Sequence, residues 1–228
     1  MASSVYQISV CQMKVSALVP SKLNSSRLPA KNIRPLHGVP LVNYVLRTLT
    51  SVEGIDDVVV YASSDEIMAA VEPGVGCRYV ARPSRLDADD ATPEDFIGSF
   101  LADVECDVVV LLHITSPFIS EGTVEECLRA VTGGTYESAF AALQIQRFAW
   151  FRGSPLNYSP GEPTPRTQDL EPVLVEQSGL YVFTRDLFES TGRRIADRPF
   201  VRVVDAFEGH DIDTEEEFRL AEMIREIS

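Results

Sequence analysis

Short apolar runs rich in valine and aromatic residues recur along the chain at 15–20 (VSALVP), 57–63 (DVVVYAS), 77–81 (CRYVA), 107–114 (DVVVLLHI), 138–145 (SAFAALQI), 180–183 (LYVF) and 200–204 (FVRVV). Their length and β-branched content predict strands buried on both faces. Between them, apolar residues recur with helical spacing at 41–52, 64–72, 92–104, 120–131, 185–191 and 213–227. Most of these helices carry a start signal. Ser64 and Ser120 precede acidic first turns, Thr92 precedes Pro93, and Asp213 or Thr214 precedes E-E-E-F, each supplying a side-chain acceptor or a proline where orphan amides begin. Strands that alternate with helices predict an α/β fold, Rossmann-like with three α/β/α layers around a mostly parallel sheet.

One stretch breaks the alternation. From about Gln146 to Pro172 the chain holds five prolines together with Gly153 and Gly161, and it is read as a projecting arm or loop insertion of a single domain spanning 1–228. No internal repeat and no low-complexity tract is found.

Composition narrows the function classes. With 45% hydrophobic residues in 228, the chain can bury one substantial core. No run of about 18 apolar residues occurs, and the N-terminal segment has neither the basic start nor the continuous apolar middle of a secretory signal, so a cytoplasmic protein is expected. A formal net charge of −14 argues against nucleic acid and anionic membranes as partners, because both require a basic face. Cys11, Cys77, Cys106 and Cys127 form no C-x-x-C pair and are expected to be buried free thiols.

The exception to the acidity is local. All three lysines, Lys14, Lys22 and Lys31, lie near the start, and Arg27 and Arg34 join the last two. The segment P-S-K-L-N-S-S-R-L-P-A-K-N (20–32) follows the first predicted strand. In an open α/β sheet ligands bind beyond the carboxyl ends of strands, so this loop is the expected seat of a nucleotide. Lys22, Arg27 and Lys31 are candidate catalytic cations for a triphosphate, and Ser25 and Ser26 candidate hydrogen-bond donors to it. The loop is neither a Walker loop nor a G-x-G-x-x-G fingerprint, and a merely basic surface loop is the plainer alternative.

A second signal lies at H-D-I-D-T-E-E-E-F (210–218). Residues i and i+2 of an extended segment point to the same side, so Asp211 and Asp213 can converge, and paired carboxylates suit Mg²⁺ bound together with substrate phosphates. Against this stands a simpler role for Asp213 as cap of the last helix.

The phosphate loop resembles that of the CMP-sugar synthetases, the cytidylyltransferases that activate N-acetylneuraminate and 3-deoxy-manno-octulosonate. The likeness runs from about Ser16 over nearly the whole chain. It implies CTP as substrate, a small acidic acceptor, Mg²⁺ with Mn²⁺ as an alternative on Asp211 and Asp213, and a homodimer joined through the arm. By the same resemblance Asn32 contacts the ribose, and Arg82, Ala91 and Pro93 in A-R-P-S-R-L-D-A-D-D-A-T-P line the base. His113 and Ser116 in L-L-H-I-T-S-P-F face the acceptor, with His113 standing where the family carries glutamine. Without the family context, Arg82 reads as a surface arginine, Pro93 as a helix start, and Gly179 in Q-S-G-L-Y as a bulge or close-packing glycine.

The likeness departs at the acceptor. Phe151 and Glu176 stand where the N-acetylneuraminate enzymes place basic residues, and a carboxylate beside an acidic acceptor is repulsive. Arg147, Arg152 and Arg166 in the arm are the candidate substitutes, with Arg147, Arg166 and Glu176 assigned to the acceptor. Small phosphonates such as phosphonoformate or aminoethylphosphonate are the alternative acceptors. A nucleotide-binding regulator without turnover and a transferase using another nucleotide on a sugar phosphate are the competing function classes.

Overall fold

The computed structural model describes residues 13–22 and 28–227. Seven strands form the central sheet: β1 (Val15–Ser21), β2 (Asp57–Ala62), β3 (Arg78–Ala81), β4 (Val108–Leu112), β5 (Ser138–Ile145), β6 (Val173–Thr184) and β7 (Phe200–Val204). Their order across the sheet is β7-β5-β6-β4-β1-β2-β3. Only β6 runs antiparallel to its neighbours, so the sheet is mostly parallel, as the alternation of elements predicts.

The valine-rich runs form strands because the pleat sends successive side chains into two separate apolar layers. In β4, Val108, Val110 and Leu112 join one core cluster while Val109 and Leu111 join the other. The first cluster takes residues from α1 (Leu41–Ser51), α3 (Glu121–Thr132) and α5 (Glu215–Ile227), and the second from α2 (Pro93–Asp103) and α4 (Arg185–Thr191). Helices therefore cover both faces. All five β4 side chains are buried, and truncating one such residue, Leu111→Ala, costs roughly 2–5 kcal/mol by lost transfer energy and cavity formation.

Local signals set the ends of the helices. Thr92 accepts from Asp95 N while Asp95 reaches back to Thr92 N, a reciprocal capping box ahead of Pro93. Ser120 accepts from Thr123 N at the start of α3. At α5 the cap is Thr214, whose hydroxyl accepts from Glu217 N at 3.3 Å while Glu217 accepts from Thr214 N at 2.8 Å. Of the two residues read as caps for this helix, Thr214 does the capping, and Asp213 Oδ1 is engaged elsewhere.

Three expectations change on folding. The 64–72 segment forms a 3-10 turn over Asp65–Ala70 in place of an α-helix, in a stretch closed off by Pro73 and Gly74. The strand read at 180–183 extends back to Val173, because Val173–Glu176 pair with the far end of β5 and carry the ladder beyond the sheet body. The arm holds a two-residue hairpin, Trp150–Phe151 against Ser154–Pro155, and is tied to the body where Gln146 Nε2 donates to the carbonyls of Gln168 and Leu170. Of the cysteines, Cys106 and Cys127 are buried and Cys77 is half-buried, while Cys11 lies outside the described residues. No helix among the described residues is long and apolar enough to cross a membrane.

Candidate active site

The six mutually parallel strands point their carboxyl ends to one rim, and the antiparallel β6 brings residues 176–179 to the same rim from the other direction. A cavity of about 430 Å³ opens there, lined by the end of β1, the entry to the 3-10 turn at Lys31, Arg82, the 88–91 loop, His113 and the Asp211–Asp213 segment. Residues nearly 200 positions apart in the chain thus share one wall.

Lys31 joins the two sequence signals directly. Its Nζ donates to Asp213 Oδ1 at 2.6 Å and to the Ile212 carbonyl at 3.2 Å, and the side chain is largely buried. Ala30, just before it, holds φ at 55°, a left-handed conformation that turns the loop back onto the sheet. Lys22 sits on the opposite side of the loop entry, where Nζ donates to the Asp87 carbonyl and lies 3.5 Å from Asp89 Oδ1. Ser25, Ser26 and Arg27 lie outside the described residues. Asn32 is buried and donates from Nδ2 to Ser21 Oγ at 2.9 Å and to the Lys22 carbonyl at 3.0 Å. Both of its amide hydrogens are thereby used, so a hydroxyl placed against Asn32 must donate to Oδ1.

Arg82 is not a surface residue. Its side chain is 4% exposed, Nη2 donates to Asp87 Oδ1 at 2.5 Å, and Nε is buried without a hydrogen-bond partner on the cavity wall. Asp87 is itself held by Ser63. Ala91 also lines the cavity, whereas Pro93 does its work as the first residue of α2.

Asp211 is positioned by a relay across β6. Ser116 Oγ donates to Asp211 Oδ1 at 3.0 Å, Gln177 Nε2 donates to Ser116 Oγ at 2.9 Å, and Gly179 N donates to Gln177 Oε1 at 3.0 Å. Gln177 and Ser116 are buried, and Ser116 is thus a support for Asp211. The relay depends on a β-bulge between Glu176 and Tyr181, where Ser178 adopts φ 71° and lines the cavity. Strain of this kind persists only where the surroundings impose it. A Cβ on Gly179 would lie 2.0 Å from Ser116 Oγ, so the glycine serves the bulge and the close approach together.

The electrostatics follow from this crowding. Burial raises the Asp211 carboxyl above the usual range and the charge of Asp213 adds to the effect, while hydrogen bonds from Thr115 and Ser116 and the Lys31 charge oppose it. Two carboxylates this placed favour a cation between them. Mg²⁺ accepts one or two protein carboxylates and completes its shell with water and phosphate oxygens, and Asp211 and Asp213 fit that donor set. Among the described residues no cluster of three or more His, Cys, Asp or Glu side chains forms an all-protein cage. His113 is pushed down to about 4, first by burial and then by the charges of Arg194 and Lys31, so at neutral pH its ring is uncharged. It packs edge-on against Phe96 and lines the far end of the cavity.

The acceptor candidates on the arm behave differently. Arg147 and Arg166 are exposed and do not line the cavity, and Arg166 is paired with Asp169 at 2.7 Å. Glu176 is exposed and accepts from the Tyr181 hydroxyl at 2.8 Å. Gln177, Thr115, Phe96 and Asp87 belong to the site without having been singled out. The Q-S-G-L-Y, L-L-H-I-T-S-P-F and A-R-P-S-R-L-D-A-D-D-A-T-P motifs contained Gln177, Thr115 and Asp87, and Phe96 alone had no signal in the sequence pattern.

Known proteins share stretches of this sequence and this fold. A family model described as cytidylyltransferase matches residues 16–149, more than half of the chain. The N-acylneuraminate cytidylyltransferase of Oncorhynchus mykiss is 30% identical over 184 residues, covering 77% of this chain and 42% of that protein. The 8-amino-3,8-dideoxy-manno-octulosonate cytidylyltransferase of Shewanella piezotolerans is 30% identical over 134 residues, covering 59% and 54% respectively. The chain therefore spans about half the length of the curated relatives it matches. Among solved structures, a CMP:2-keto-3-deoxy-manno-octonic acid synthetase complexed with CTP superposes with a TM-score of 0.72 at 19% identity, covering 94% of this chain and 99% of the other. That likeness establishes the fold. On the family match, whose span includes the phosphate loop and the Arg82 segment, this chain belongs to the cytidylyltransferase family.

Proposed function

We propose that the protein transfers CMP from CTP to a small acidic acceptor with release of pyrophosphate. The observation that carries this reading is the meeting of Lys31 with Asp211 and Asp213 on one cavity wall at the carboxyl rim of the sheet. Attack of an acceptor oxygen on the α-phosphorus builds negative charge on the non-bridging and leaving oxygens. Lys22 and Lys31, with Arg27 from the same loop, supply positive charge to those oxygens, and preorganised charge in a partly desolvated site is worth more than in water. A divalent cation on Asp211 and Asp213 would supply charge neutralisation at the α-phosphate. The Ser116–Gln177 relay holds Asp211 in place. Arg82, Ala91 and Asn32 line the pocket end that takes the nucleoside, and neutral His113 borders the acceptor end.

The acceptor is a sugar acid of the nonulosonate or octulosonate type, in keeping with the relatives. A small phosphonate is the second reading, motivated by Phe151 and Glu176, which offer no positive charge where the resemblance calls for it. The exposed apolar side chains of the arm, Phe148, Trp150, Phe151 and Leu156, support a homodimer formed through that segment. Purified protein incubated with CTP, Mg²⁺ and N-acetylneuraminate, 3-deoxy-manno-octulosonate, phosphonoformate or aminoethylphosphonate should release pyrophosphate and form one CMP conjugate. Binding of CTP with no product from any acceptor would instead identify a nucleotide-binding regulator.

A further inference from the structure

We propose that Asp87 is a positioning residue that ties Arg82 to Lys22, so that the nucleoside and the polyphosphate of CTP are bound as one unit. The inference rests on the transfer reading above, which puts the nucleoside against Arg82 and the phosphates against Lys22.

Three neighbouring strands end on this one residue. β1, β2 and β3 lie side by side in the sheet, and the residues that immediately follow them are Lys22, Ser63 and Arg82. Lys22 Nζ donates to the Asp87 carbonyl at 3.3 Å, Ser63 Oγ donates to Asp87 Oδ2, and Arg82 Nη2 donates to Asp87 Oδ1 at 2.5 Å.

Local structure sets Asp87 at this junction. It ends a 3-10 turn over Ser84–Asp87, and the preceding Leu86 is buried in the second core cluster. The turn closes without the carboxylate, since Leu86 N donates to the Pro83 carbonyl at 3.0 Å and Ala88 N to the Arg85 carbonyl at 3.3 Å. Each carboxylate oxygen serves a strand end instead.

Asp87 acts through residues that line the cavity, Lys22 and Arg82. The Arg82 side chain is 4% exposed, and a guanidinium so buried needs an opposite charge beside it. Asp87 supplies that charge, and Ser63 on its other oxygen keeps the carboxylate from swinging with the arginine. The planar fork then presents one orientation to a ligand. The Lys22 charge is held more loosely, 3.5 Å from an Asp89 side chain that is 84% exposed. With three N–H donors, Lys22 can keep the Asp87 carbonyl while a polyphosphate replaces the weak contact with Asp89.

The test titrates CTP and CMP, each with Mg²⁺, calorimetrically into the wild type, Asp87→Asn, Arg82→Met, Lys22→Met and the double variant of Asp87→Asn with Arg82→Met. Asp87→Asn keeps the size of the side chain and removes its charge. It should weaken CMP at least about tenfold and CTP by a further factor of about three, because Arg82 and Lys22 are loosened together. Arg82→Met should weaken both ligands by the same factor, and Lys22→Met should weaken CTP more than CMP. With Arg82 already replaced, Asp87→Asn should change the CMP affinity less than about twofold, since its route to the nucleoside is cut. Asp87→Glu, which keeps the charge, should recover part of the loss. Unfolding of a fraction of the protein lowers the bound stoichiometry and leaves these affinity ratios alone, so a merely structural role predicts no such coupling.

Equal affinities in wild type and Asp87→Asn, an equal loss for CTP and CMP, or factors that multiply in the double variant would each overturn the assignment. CTP binding that depends on Asp87 without CMP transfer by the wild type would leave the assignment standing and remove the transfer reading. No CTP binding by the wild type would remove both.

Discussion

The two ends of the cavity are built in different ways. At one end the polar side chains are paired with one another: Lys31 with Asp213, Asn32 with Ser21, Arg82 Nη2 with Asp87, and Asp211 with Ser116, which Gln177 supports in turn. At the end bordered by His113 and Phe96 the ring of His113 is uncharged at neutral pH, and the arm exposes its arginines and aromatics to solvent away from the cavity. On the transfer reading, a densely paired end fixes the position of the reacting phosphorus, which tolerates little displacement. On the same reading, the loosely furnished end takes the acceptor. The difference shows why the reaction class is legible from a single chain and the acceptor is not.

The sharpest way to break the contrast is to neutralise the pair proposed to hold the metal, Asp211 and Asp213. Asp211→Asn and Asp213→Asn should each lower turnover by at least about a thousandfold, because both the cation and its phosphate alignment depend on them. The fold should survive in both. Burial already disfavours the charge of Asp211, so the amide relieves desolvation in the free protein. Circular dichroism and thermal melting beside the rate check both halves of this expectation.

Next in size is Gly179→Ala. The added Cβ displaces Ser116 and with it Asp211, which should reduce kcat on the order of a hundredfold while CTP affinity changes far less. Equal kcat in wild type and variant would show that the relay does not position the aspartate.

Smaller effects are expected on the arm. A double substitution, Trp150→Ser with Phe151→Ser, should shift the particle mass from dimer to monomer by light scattering, since both side chains are exposed. Arg166→Ala should change kcat/KM less than about fivefold, because an exposed guanidinium already engaged by Asp169 contributes little. A monomeric wild type would remove the dimer, and a large effect at Arg166 would return the arm to the acceptor site.

The smallest expected effect concerns pH. His113 in the folded protein takes up its proton only at about 4, against an ordinary value of 6.5, so the unfolded chain binds more protons between these values. Stability should therefore fall as pH drops from about 6.5 toward 4, and His113→Gln should flatten that part of the profile. Melting temperatures measured across this window for both proteins decide the point.

Much of this was legible in the sequence, and what was hidden shares one physical origin. Periodicity located the strands and most of the helices, and local cap chemistry placed their starts, because these depend on residues within a few positions of one another. The phosphate-loop lysines and the aspartate pair stood out as charge patterns. By contrast, the Gln177–Ser116–Asp211 relay joins residues 61 and 95 positions apart, and the bulge at Ser178 exists only because β6 packs between β4 and β5. Asp213 as a cap and Asp213 as a ligand are indistinguishable in sequence, and the Thr214 hydroxyl at the head of α5 separates them.

The central claim, that this cavity performs metal-assisted cytidylyl transfer, is tested most directly by following CTP labelled at the α-phosphorus in the presence of an acidic acceptor. The account predicts that the label moves to an acceptor conjugate as CMP, that transfer stops when EDTA removes the divalent cation, and that UTP, GTP and ATP do not substitute. Transfer that persists in EDTA, or a preference for a purine nucleotide, would contradict it.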